Sequence, residues 1–128
     1  MPPTRFPQLA LGLLLLSAPT ALAGAPGDPT GVWIDADGRG AVEITQCGTG
    51  EALCGRVVWV KAAAHGGRCG VQILGQLERS RNGTWGGGWI YSPDYDRKFD
   101  VEVKRVGSDK LRVVGWAGLR MFSETHVW

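Results

Sequence analysis

The sequence predicts an all-β protein, an antiparallel meander of seven to eight short strands curled into a β-barrel. Three observations predict it. Phe99, Val101 and Val103 alternate with Lys98, Asp100, Glu102 and Lys104, a strict period of two with one apolar and one charged face. Glycine is abundant, 20 of 128 residues, and occurs beside six tryptophans, a mixture that favours short strands and tight turns. No segment keeps a helical period for more than about two turns. A meander protects its edges by curling until it closes or nearly closes, and glycines permit the bends and bulges this needs. A flat sandwich is the structural alternative.

The elements follow in order. Arg5 supplies a basic start, Leu9 to Ala18 an apolar run, and Ala21-Leu22-Ala23 a small-residue site, the three parts of a secretory signal peptide cleaved after Ala23. The run is short of the ~20 residues of a membrane-spanning helix, so no stable membrane anchor is expected. Residues 24–30 read as a flexible lead-in, and residues 31–128 as a single β-barrel domain. Val32-Trp33-Ile34 is the first strand, and residues 41–47 and 53–60 form a hairpin. Residues 62–68 are irregular, and Val71 to Leu77 is a weaker strand or a turn of helix. Gly83 to Tyr91 is rich in Trp and Gly and ends at the turn Ser92-Pro93-Asp94-Tyr95-Asp96. The alternating strand around Val101 follows, then Leu111 to Trp116, and Leu119 to Trp128 closes the chain.

Charge narrows the function. The formal net charge is +2, and +1 once Arg5 leaves with the leader. No basic face can be assigned, so a nucleic-acid partner is not expected. Of three cysteines, Cys47 and Cys54 flank a short hairpin connection. By strand parity Cys47 shares a face with Glu43 and Thr45, and Cys54 with Arg56, so the pair can form a disulfide on the polar side. An exported location permits it. Cys69 is left over and reads as a small buried or half-buried thiol, with a reactive or intermolecular thiol as the alternative. No metal site is expected, because paired C-x-x-C ligands are missing and His65 and His126 lie far apart.

Residues 31–128 resemble the bacterial domain-of-unknown-function family 2147. The resemblance is carried by Gly31-Val32-Trp33, by Cys47-Gly48 with Cys54-Gly55, and by Val57-Val58-Trp59-Val60-Lys61. It continues through Cys69-Gly70-Val71-Gln72-Ile73-Leu74-Gly75, Gly88-Trp89-Ile90-Tyr91-Ser92-Pro93, Phe99, Leu111 to Gly115, and Trp128. Residues 62–68 lack the Asp- and Asn-Pro-containing segment common in relatives, and no basic tail follows Trp128. The resemblance implies a small exported protein with a lipocalin-like (calycin-like) barrel, with Trp33 near its floor, and it brings no established activity.

Tryptophan and tyrosine are the candidate ligand-binding residues: Trp33, Trp59, Trp89, Tyr91 and Trp116. Parity turns Trp59 inward with Val57 and makes Trp85, Trp89 and Tyr91 one aromatic row. Such a row can line an apolar cavity, or it can simply fill a small barrel. Asp94, Asp96 and Asp100 lack the spacing of a calcium loop and read as a solvated turn, and His126 as a strand-surface histidine. No nucleophile elbow, paired-carboxylate motif or phosphate loop is present, so no catalytic residue or cofactor is expected. The chain therefore reads as a periplasmic or secreted non-enzymatic binding module for a small apolar or amphipathic ligand. The alternative is an interaction module with a filled barrel that meets an envelope protein partner.

Overall fold

The structure, a computed structural model, describes residues 2–4, 12, 14, 27–62 and 69–128. Most of the expected leader and most of the irregular segment at 62–68 lie outside the described residues. Eight strands form one sheet: β1 (Gly31–Ile34), β2 (Gly40–Gln46), β3 (Leu53–Val60), β4 (Gln72–Arg79), β5 (Thr84–Ser92), β6 (Arg97–Val106), β7 (Lys110–Trp116) and β8 (Glu124–Val127). Each pairs antiparallel with the next, in sequence order. Among the described residues no ladder joins β8 back to β1, so the meander is a half-barrel with two free edges. Val71 to Leu77, ambiguous by pattern, falls on the strand β4, which begins at Gln72 and runs on to Arg79. The last expected strand is shorter than its sequence range, because a 3-10 turn at Arg120–Phe122 precedes β8.

One face of the sheet builds the core. Val101 and Val103 of β6 lie opposite Gly115 and Val113 of β7, so the apolar half of the period-two pattern faces inward. Val42 and Ile44 of β2, Leu53 of β3, and Leu74 and Leu77 of β4 complete the same cluster with Trp33, Trp85 and Leu111. Ile44, Leu74, Leu77, Leu111, Val101, Val103 and Val113 are fully buried, so aliphatic side chains fill this interior. Gly55 keeps the packing tight, because a Cβ there would press on Leu74 and Val42. The Trp85 Nε1 is buried in this cluster without a hydrogen-bond partner among the described residues.

The floor is closed by residues distant in sequence. The Trp33 Nε1 donates to the Pro29 carbonyl at 2.8 Å, and the Arg105 guanidinium lies 5.5 Å from the centre of the Trp33 ring. Arg105 also donates to the Asp28 carbonyl at 3.2 Å and to the Ser108 carbonyl at 2.8 Å. It thereby ties β6 to the chain entering β1.

Two strands change parity part-way. In β4 the inward residues are Leu74 and Leu77, three apart, and Gln76 between them has a φ of 54°. In β5 the inward Trp85 pairs with Val103, yet Gly88 pairs with the next inward residue, Val101. Gly87 takes a φ of 73° at that irregularity, a conformation open to glycine at little cost. The two bends face each other, since Gly75 pairs with Trp89 on one side of them and Glu78 with Gly86 on the other. A bulge of this kind turns every later side chain to the other face.

Candidate functional site

The β5 bulge corrects the expected aromatic row. Trp85 points into the core and is 7% exposed, whereas Trp89 pairs with Asp100 and Tyr91 with Lys98, all on the outer face. A bulge in β3 does the same to Trp59. Val57 pairs with the buried Val42, but Trp59 pairs with Ala41, so it leaves the face of Val57 and is 45% exposed. Trp116 pairs with Asp100 from the other side and joins the outer face. Of the five candidate residues, only Trp33 faces the interior. Trp89, Tyr91 and Trp116 are brought together on the outer face of β5–β7, and Trp59 lies apart on β3.

The outer assembly begins with a row of cross-strand neighbours, Gly75, Trp89, Asp100 and Trp116, running over β4 to β7. A Cβ on Gly75 would collide with the Trp89 indole, so the bare glycine lets that ring lie flat against β4. Above it, the Lys98 Nζ stands 4.0 Å from the ring centre. Arg120 covers Trp116 at 4.6 Å and is ion-paired with Glu102. On the inward side of β6, Arg97 stands 4.9 Å over Phe99. At the exposed turn, the Tyr91 hydroxyl donates to Asp96 at 2.7 Å, and this bond, with some desolvation, holds its pKa above the ordinary value of 10.0.

Two clefts open on this surface and share Trp116 as a wall. One, of about 220 Å³, lies among Trp89, Arg97, Lys98, Asp100 and Trp116. The other, of about 340 Å³, lies over Gly86 and Gly87, between Glu78, Arg79, Glu102 and Arg120. The glycines of the bulge lower its floor. Sequence reasoning missed Lys98, Glu102 and Arg120 as site residues, although Lys98 and Glu102 stand in the outward half of the alternating strand.

The cysteines separate in the same way. Cys47 and Cys54 form a disulfide with a Cα–Cα distance of 4.9 Å, and Thr45 pairs with Cys54 as the parity argument requires. Gln72 donates to the Cys54 sulfur at 3.2 Å from β4. Cys69 is exposed, contrary to the expectation of a buried or half-buried thiol, because it stands in the turn just before β4. His126 is an exposed residue of the edge strand, 3.6 Å from Glu124, and His65 lies outside the described residues.

The fold and site define a small all-β half-barrel with a packed inner face and an aromatic, charge-studded outer one. Residues 31–128 match the family described as "Uncharacterized protein conserved in bacteria (DUF2147)", and the chain belongs to that family. No curated protein and no solved structure matches the chain. No helix among the described residues is long and apolar enough to cross a membrane.

Proposed function

We propose that this protein is an exported, periplasmic, non-enzymatic binding module that takes a small amphipathic ligand on its outer face. The observation that carries this reading is the row Trp89–Asp100–Trp116, two indoles flanking a carboxylate, with cations stacked on both rings. Indoles offer a broad apolar contact at low entropic cost, and charged groups beside them fix a ligand's polar rim. The inner face is a poorer candidate, since fully buried aliphatic side chains occupy it. An exported location is supported by the leader pattern of residues 1–23 and is compatible with the disulfide.

A second reading has its own observation. Val32 and Ile34 of β1 are each 58% exposed, and Ile34 and the exposed Trp59 of β3 flank the covered Ala41 across β1–β3 on the outer face. An exposed apolar group of this kind suits a protein partner in the envelope.

Native mass spectrometry of the exported protein, purified without detergent, separates these readings. The first expects a chain beginning at Gly24 that carries a small-molecule adduct, lost in the double variant W89A/W116A. An adduct retained in that variant overturns the outer site, and a bare wild-type chain favours the protein partner.

A further inference from the structure

We propose that the ligand of the outer face is a neutral glycan chain lying across β5–β7, with one ring on Trp89 and another on Trp116. This rests on the outer-face reading above and adds the chemical class. Charge decides it. The outer face presents Lys98 and Arg120 together with Asp100, Glu78 and Glu102, so cations and carboxylates are interspersed. A fatty chain would strip water from these charges and offer them no hydrogen bonds in return, at a cost of some kcal/mol each. A polyanion would meet three carboxylates in the middle of its path. A sugar ring suits both kinds of group. Its C–H face packs on an indole, and its hydroxyls both donate to carboxylates and accept from ammonium and guanidinium groups.

Geometry sets the length. The backbones at Trp89 and Trp116 lie on β5 and β7, two strand spacings or about 10 Å apart, and the Trp89 indole leans further off, over Gly75 of β4. One sugar ring cannot cover both indoles, whereas two rings of an extended β-linked chain of three or more units can. Trp116 lines both clefts, so a chain lying over its indole can reach into each. Lys98 and Arg120 occupy the ring positions in the unbound protein. Exposed cation–π contacts are weak, so an arriving ring displaces these side chains to its rim, where they hydrogen-bond.

The test is an NMR titration that follows the six indole N–H signals during addition of β-1,4-linked N-acetylglucosamine oligomers, from dimer to hexamer, with cholate as a non-glycan amphiphile. The proposal expects the Trp89 and Trp116 signals to move while those of Trp33 and Trp85 stay. Affinity should rise roughly tenfold from dimer to tetramer, as the second ring engages. W89F should retain most of the binding and W89A should lose roughly tenfold, with unchanged Trp33 and Trp85 signals reporting an intact fold. D100N tests the rim, and should weaken binding without altering those two signals. Oligomers that leave Trp89 and Trp116 unmoved overturn the glycan assignment. If cholate then moves these two indoles, the outer-face reading stands without it. If neither probe does so, both fall.

Discussion

Gly75 and Trp89 show how much of the outer surface depends on one missing side chain. The indole rests where a β-carbon on Gly75 would have to be. Gly75→Ala is therefore expected to lift Trp89 from the sheet and to destabilise the protein by about 1–2 kcal/mol, readable as a urea midpoint shift with red-shifted tryptophan emission. Tyr91 gives a second test at this scale. Its bond to Asp96 favours the neutral phenol and raises the pKa, so the stability it adds is present below 10.0 and lost as pH rises through the raised value. Asp96→Gly removes the acceptor and suits the local φ of 48°. The phenolate absorbance of Tyr91 should then appear at lower pH than in the parent.

At the scale of elements, the hairpin of β2 and β3 was legible because its logic is local. The parity of Cys47 with Thr45 and of Cys54 with Arg56 places both cysteines on one face, and the register reproduces it. Replacing both with serine should cost about 2.5 kcal/mol in urea unfolding, the chain-entropy value for so short a loop. The strand β6 was equally legible, since the seven residues Lys98 to Lys104 alternate without a break and fix its inner face. Beyond an irregularity the same rule misleads. Counting by twos from Trp85 puts Trp89 inside, but the Gly86-Gly87-Gly88 run absorbs an extra residue and turns it outward. A glycine run marks where a bulge can form, yet only the pairing with β4 and β6 says where it does. Trp59 failed for the same reason, one bulge earlier in the chain.

For the molecule as a whole, composition and turn spacing were enough to predict a meander that curls, because every link joins neighbours in sequence. What they could not supply was the degree of closure. That depends on whether β8 meets β1, a pairing of the first strand with the last, and here the ladders stop short of it. The floor is instead drawn together by Arg105, Trp33 and the Asp28 carbonyl, contacts that no local pattern records. The candidate site was half legible. Its aromatic residues were named from the sequence, but an inward count assigned Trp89 and Tyr91 to the wrong face. Their cationic and acidic neighbours emerge only when β5, β6 and β7 stand side by side. The resulting division, aliphatic inside and aromatic with charge outside, is the central claim. A soluble paramagnetic relaxation agent added to the 15N-labelled protein tests it most directly through the indole N–H signals. Strong relaxation of Trp59, Trp89 and Trp116, with Trp33 and Trp85 protected, is the expected result; Trp89 as protected as Trp85 would contradict it.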